Sequence, residues 1–482
     1  MMTRGGFRNA TLMQPLAAAL AATSLAGCAA LEPTGAPLGV GDAMTEARAP
    51  DGAYISWREH IIDDRIAPGE PLTGGDGLVL ADLDGDGFED IVSVHESDTE
   101  YDGVADGYIR IAFGTGDLGR WENVTLAQGP EAGAPEDAAI GDVNGDGLLD
   151  IIVAAELAHL IYFENPGPDA VRTGDWPRLI LPQTQGRGSF IRVFLADFDG
   201  DGRLDVSTAN KGEQNPTAET ATPQPVSVFR ANGDPLDGAS WTETELGRYL
   251  IPQNARPVDI DADGDMDILA GARVAPELIL FVNEAGGFRE VPVEIDTTRA
   301  GGFNLAFHDF NADGRLDIAG ATNAGFGWLE QPETLDGVWT FHRAGDFGPD
   351  LMVSIALADI DGDGDMDMLS GGYSRGPRDA DADIPLDTPL GRIGWLENPG
   401  ETGAAWTRHD VSRRQRGMFD KFVPRDLDGD GDIDFLGTRG NSAPYDGVFW
   451  LEQIRSDAPR AAFERARDED SPEEPLAEGD RP

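Results

Sequence analysis

One nine-residue pattern, D-x-[DN]-x-D-G-x-x-D, recurs seven times along this 482-residue chain, and self-similarity of that kind confines it to a repeat architecture. The copies begin at Asp82, Asp142, Asp197, Asp259, Asp309, Asp359 and Asp426, about 50 to 67 residues apart. Short apolar runs flank each copy, such as Gly77-Leu78-Val79-Leu80 before the first and Ile91-Val92-Ser93-Val94 after it. Four to seven apolar or alternating residues bounded by Gly and Asp are strand signals, and no long amphipathic helical period interrupts them.

After the strand that follows each copy, two further strands follow the first six copies and one follows the seventh. The first is seen in Tyr108–Phe113, Leu160–Phe163, Val226–Phe229, Leu278–Phe281 and in Gly327-Trp328-Leu329-Glu330, Gly394-Trp395-Leu396-Glu397 and Val448-Phe449-Trp450-Leu451. The second usually opens on an aromatic residue: Trp121, Trp176, Trp241, Phe288, Trp339, Trp406. Each repeat therefore supplies four short antiparallel strands, A to D, with the Asp loop between A and B, which is the content of a propeller blade. The seventh repeat lacks a D strand. Trp57-Arg58-Glu59-His60-Ile61-Ile62, near the other end, matches Trp406-Thr407-Arg408-His409-Asp410-Val411 and supplies it. The fold expected is all-β: a seven-bladed β-propeller of four-stranded antiparallel blades, closed by an N-terminal strand joining the last blade.

The loop chemistry points to Ca2+, which takes six to eight oxygen ligands in flexible geometry. Acids at alternate positions of a tight turn aim oxygens at one centre, and Gly at the sixth position lets the backbone bend. The candidate ligands are Asp82, Asp84, Asp86 and Asp90, with the carbonyl of Phe88; Asp142, Asn144, Asp146 and Asp150; Asp197, Asp199, Asp201 and Asp205; and Asp259, Asp261, Asp263 and Asp267. They continue as Asp309, Asn311, Asp313 and Asp317; Asp359, Asp361, Asp363 and Asp367; and Asp426, Asp428, Asp430 and Asp434. Seven copies of such crowded carboxylates repel one another unless a cation joins them. Ala262 and Ala312 replace the usual fourth-position Gly, a change expected to be tolerated. The start of each loop resembles an EF-hand, but no Glu stands at the twelfth position and strands flank the loop.

These loops resemble those of the integrin α-chain propeller and of bacterial FG-GAP/VCBS repeat proteins, over about Trp57 to Gln453. Phe113-Gly114 keeps part of the name-giving signature, and the Trp-Leu-Glu-Asn-Pro copies stand nearer the VCBS branch. The same copies resemble the propeller part of aldos-2-ulose-type sugar dehydratases, without the cupin half. The resemblance implies calcium-binding propeller blades and carries over no catalytic residue.

The chain ends read separately. Arg4 and Arg8, the apolar Thr11–Ala22 and Leu25-Ala26-Gly27-Cys28 resemble the signal peptide and lipobox of bacterial lipoproteins. Cys28 is the only cysteine, which excludes disulfides and Cys-based zinc sites. The expected organisation is a signal peptide over 1–27, a flexible tether over 28–53, the propeller over 54–456 and an acidic disordered tail over 457–482. The expected location is the bacterial cell envelope, the protein being lipid-anchored through Cys28, in the outer membrane if the cell is Gram-negative.

Formal charge is −52, and the lysines are Lys211 and Lys421 alone, a balance that excludes nucleic acid as a partner. In a four-strand meander the Asp loops share one face and the B–C and D–A loops the other. The long B–C segments, His95–Gly107, Ala209–Pro225 and Gly371–Arg392, fall on that opposite face, where ligand sites favour loops held by a rigid frame. The most basic stretch falls there too: Arg413, Arg414, Arg416 and Lys421, with Arg439 in the same blade. These are the candidate contacts for an anionic glycan or a protein, if they are not engaged by neighbouring acids. His60, His342 and His409 recur at one structural position, whereas His95 and His159 lie in B–C segments. The function expected is a non-enzymatic binding or adhesion module, the alternative a carbohydrate-active lyase or dehydratase.

Overall fold

The computed structural model describes residues 37–67, 70–97, 103–157 and 159–480. Seven antiparallel sheets form the blades of a β-propeller. Blade 1 is built from Gly75–Ala81, Asp90–His95, Tyr108–Phe113 and Glu122–Gln128, as strands A to D, and the next five blades repeat this order. Strands B and C read as continuous apolar runs because both of their faces are covered by neighbouring blades. In blades 1 and 2, Val92, Ile109, Ile111 and Phe113 pack against Ile151, Val153, Ile161 and Trp176. The outer D strands alternate instead: Trp241–Tyr249 buries its two ends and exposes much of the stretch between them.

Blade 7 closes as expected. Its A to C strands are Phe422–Arg425, Asp434–Arg439 and Gly447–Ser456, and the fourth is Tyr54–Asp64 from the N-terminal side, antiparallel to Gly447–Ser456. One internal repeat certifies the register. His342 stacks on Trp328 and bonds Glu330, and His409 stacks on Trp395 and bonds Glu397. His60 stacks on Trp450 and bonds Glu452, so the N-terminal strand occupies the place a seventh D strand would take.

Both flanks of the ring are more structured than their composition suggested. Phe463–Glu464 adds a short strand parallel to Trp57–Arg58, outside the closing strand. Over its described residues the acidic tail is therefore not disordered, and Asp470, Ser471 and Glu473 are buried. Residues 38–53, expected as part of a loose tether, are also fixed, with Val40, Ala47 and Ala49 buried. Gly41 gives its amide to the Glu473 carboxylate at 2.8 Å, and a Cβ there would meet that side chain at 2.6 Å. The missed signal is pairwise: each segment is polar and aperiodic alone, but together they satisfy each other's backbone and cover the outer edge of blade 7.

Candidate metal loops and the opposite face

Each A–B loop is a tight turn organised by its own carboxylates. In the first, Asp82 accepts the amides of Gly85, Asp86 and Gly87, Asp84 that of Asp86, and Asp86 that of Phe88. The turn needs two left-handed residues, and Gly85 and Gly87 have φ of 74° and 91°. At the fourth position of loops four and five, Ala262 and Ala312 adopt the same conformation, at 58° and 55°.

The ninth-position aspartates have a second task. Asp90 is fully buried and accepts the amides of Leu83 and Gly114, tying the loop to strand C. Asp267, Asp317, Asp367 and Asp434 bind their loops and following strands through the same two bonds. Asp150 adds the Tyr162 hydroxyl, and Asp205 takes the Arg230 guanidinium. Burial pushes these carboxyls up, Asp367 to about 8, Asp90 and Asp434 to about 7, against the pull of the amides.

Oxygens of Asp82, Asp84 and Asp90 lie within 4.8 Å of one another, as do those of Asp197, Asp199 and Asp201 in loop three. The same holds for Asp259, Asp261 and Asp263 in loop four and for Asp359, Asp361 and Asp367 in loop six. Hard oxygen donors converging in a turn suit a calcium-sized cation. The loops are not equivalent. Arg172 bonds Asp84 and Asp86 at 2.6 and 2.8 Å, Arg230 stands 3.1 Å from Asp199, and Arg315 pairs with Asp313. Among the described residues no cationic side chain pairs with the four carboxylates of loop four or with those of loop six.

The role of the Trp-Leu-Glu-Asn/Gln copies is legible only in three dimensions. The amide of Gln331 donates to the carbonyl of Leu316 beside its own loop and to Ile260 of the preceding blade's loop, at 3.2 and 2.8 Å. Asn165, Asn283 and Gln453 make the corresponding pair of bonds to Leu149 and Leu83, Met266 and Phe198, and Ile433 and Ile360. Each such amide stitches one blade to the Asp loop of the blade before.

On the opposite face the candidate arginines are not available to a ligand. Arg413, Arg414 and Arg439 are fully buried, and Arg416 nearly so. Arg413 forms a bidentate pair with Asp350 at 2.7 and 2.9 Å. Arg414 reaches Glu59 and Asp470, each at 3.0 Å, and Asp470 also takes Arg439. Arg416 bonds Asp381 and Ser471. This corrects the reading of these residues as exposed contacts: part of the acid that answers them comes from the tail, beyond the last blade in sequence. Only Lys421 of the five keeps partial exposure. It stands 4.0 Å from Asp137, on the wall of an axial channel of about 520 Å³.

His95 and His159 each make a hydrogen bond through Nε2. His95 is fully buried against Ser93 at 3.0 Å, and burial together with Arg110 pushes it down to about 3, so it is neutral. His159 bonds the carbonyl of Glu131 at 2.7 Å.

Sequence reasoning also missed a set of ionisable residues that the repeat itself indexes. Six positions before each loop's first Asp, blades 7, 1 and 2 carry Asp420, Asp76 and Glu136. Six positions after the closing Asp, blades 1 to 4 carry Glu96, Glu156, Lys211 and Arg273. Aligning the repeats on the loops, rather than scanning for motifs, would have exposed both rows.

A ring of seven four-stranded blades with an Asp loop after each A strand is a seven-bladed β-propeller of Asp-loop repeats. The chain belongs to the FG-GAP-like repeat family, whose model matches residues 82–153, 197–270, 259–320 and 309–370, about half of the sequence. No curated protein matches it. Among solved structures it is similar to BBS1N in complex with ARL6DN, at 10% identity and a TM-score of 0.43, covering 86% of this chain and 100% of that one. YCF48 from Cyanidioschyzon merolae is similar at 10% identity and 0.46, covering 82% and 98%. The exotype rhamnogalacturonan lyase YesX is similar at 13% identity and 0.36, covering 83% and 75%. These are likenesses of chain outline and carry nothing about activity.

Proposed function

We propose that this protein is a calcium-binding, lipid-anchored module of the bacterial cell envelope that binds a glycan or a protein on its long-loop face. The observation that carries the calcium reading is the convergence of carboxylate oxygens within 4.8 Å in loops four and six, where among the described residues no cationic side chain pairs with them. Bound calcium supplies the missing positive charge and holds the turn that joins strands A and B. Asp259, Asp261 and Asp263 would hold it in blade 4, and Asp359, Asp361 and Asp367 in blade 6.

With the arginines of blades 6 and 7 committed to internal acids, ligand contact falls to the long B–C segments, above all 213–223 in blade 3. That segment includes the exposed Thr217–Thr220 turn. Cys28, the lone cysteine after Leu25-Ala26-Gly27, lies outside the described residues, and the anchoring reading rests on that sequence. Two acyl signals at such a cysteine would give stable membrane attachment where one chain would not.

The test is a thermal melt of the purified protein with calcium and with excess EGTA, followed by an oligosaccharide array in both states. Chelation is expected to lower the melting temperature by more than ten degrees, since each site filled at 100 times its Kd adds about 2.7 kcal/mol. A melt indifferent to EGTA overturns the calcium reading. Array silence towards every uronate and neutral glycan leaves protein as the ligand class. Equal membrane partitioning of Cys28→Ser and the unmodified protein overturns the anchor.

A further inference from the structure

The axial end of the long-loop face gathers buried carboxylates from two blades. Asp76 and Glu136 occupy equivalent places in the A strands of blades 1 and 2, and Glu96 and Glu156 equivalent places just after the B strands. Their backbone contacts repeat as well: the amide of Glu96 bonds the carbonyl of Gly74, and that of Glu156 the carbonyl of Ala134, each at 2.8 Å. The repeat thereby brings acids from two blades together, and oxygens of Glu96, Glu136 and Glu156 lie within 4.8 Å of one another. All four side chains are buried, at 4, 5, 7 and 1% exposure for Asp76, Glu96, Glu136 and Glu156.

Lys211 and Arg192 of blade 3 meet this group. Lys211 pairs with Oε1 of Glu156, and Arg192 stands 3.9 Å from Glu136 while giving its stronger bond, at 2.9 Å, to Asp420. Glu96 accepts a long bond from Gln214 at 3.4 Å. Oδ2 of Asp76 and Oε2 of Glu156 are buried with no hydrogen-bond partner. Asp76 follows Gly75, which pairs with His95, so it lies on the strand next to the one that ends just before Glu96. An unanswered carboxylate oxygen in a buried site costs several kcal/mol unless a proton or a cation meets it. Buried acids from two blades, with two oxygens left bare, form the donor set of a hard divalent cation.

We infer that Glu96, Glu136 and Glu156, with Asp76 beside them, form a further divalent-cation site, at the axial junction of blades 1 and 2 and distinct from the seven Asp loops. The ion class is calcium or magnesium, set by all-oxygen donors without sulfur or a ligating histidine. Unlike the loop sites, which each serve one blade, this ion ties two blades together near the axis.

The experiment is a crystal of the full chain grown in calcium chloride, with anomalous difference maps collected at long wavelength, and calcium counted in solution by mass spectrometry after equilibrium dialysis. The expected result is a peak about 2.3–2.6 Å from oxygens of Glu96, Glu136 and Glu156. In solution, Glu96→Gln/Glu136→Gln is expected to bind one calcium fewer than the parent, while Asp361→Asn loses a loop ion and keeps the axial peak. Occupied loops with no axial peak, Lys211 remaining against Glu156, overturn the inference. An axial peak with empty loops supports it while overturning the loop reading, and a double variant that fails to fold leaves the parent crystal to decide.

Discussion

The His60 ring stacks on the indole of Trp450 at 4.4 Å between centroids, and its Nε2 bonds Glu452 at 2.7 Å, 392 positions away in sequence. The two ends of the repeat region are therefore joined by the same side-chain triad that blades 5 and 6 assemble within themselves. The joint is made where the chain is discontinuous, through the long antiparallel pairing of Tyr54–Asp64 with Gly447–Ser456.

Removing residues 54–63 is expected to expose the C strand of blade 7 as an edge and drive aggregation, seen by light scattering and size exclusion. The point variant His60→Ala should fold but lose about 1–2 kcal/mol, the sum of one stacked ring and one hydrogen bond. A urea midpoint equal to that of the parent would show that the joint is held by backbone pairing alone.

Asp470 bears on the tail. Burial by itself would raise its carboxyl, but Arg439 and Arg414 outweigh this and hold it well below the usual carboxylate range. Asp470→Asn strips Arg414 and Arg439 of a shared partner, with Arg416 3.9 Å away, and is expected to cost about 3–5 kcal/mol at pH 7. Because the folded value lies below the unfolded one, that contribution is present in full above the unfolded pKa, near 4, and is lost as pH falls below it. The gap between parent and variant in urea denaturation should thus hold from pH 8 to 5 and narrow below 4. Deleting 457–482 should be worse than the point variant, the opposite of what a loose acidic tail would predict.

The stitching amides give a third expectation. Gln331→Ala leaves the carbonyls of Ile260 and Leu316 without their donor and should cost about 1–3 kcal/mol. Gln331→Glu, similar in size but without the amide donors, should cost at least as much. If both variants melt with the parent, the blades are joined by apolar packing alone.

Ala262 and Ala312 are exposed and held in the left-handed region, which an L residue with a Cβ disfavours by about 1–2 kcal/mol. Ala262→Gly and Ala312→Gly should each stabilise by about 0.5–1 kcal/mol, the unfolded-state entropy of Gly offsetting the rest. Chemical denaturation of the two single variants and the double checks both sign and additivity.

What the sequence made legible followed from repetition. Seven loops set the blade number, the aromatic openings of strands at Trp121 or Trp241 set the outer strands, and the likeness of Trp57–Ile62 to Trp406–Val411 set the closure. What it hid was pairing across large separations. Arg414 looked like the centre of a basic patch because its partners, Glu59 and Asp470, stand 355 and 56 residues away in segments with no period of their own. The axial acids were hidden differently: Asp76 and Glu136 sit on strands whose apolar neighbours dominate the reading, and their kinship emerges only when the repeats are aligned on the Asp loops.

The placement of the closing strand also fixes an order of events. Tyr54–Asp64 is made first among the strands, yet its partner Gly447–Ser456 comes after every other blade strand, and Phe463–Glu464, which covers it, later still. During synthesis six blades can complete themselves from consecutive sequence while the first strand waits unpaired. The ring becomes a ring only after nearly the whole chain has emerged. A truncated product, whatever its length short of the tail, would carry an open edge, which gives quality-control proteases a feature that separates finished molecules from unfinished ones.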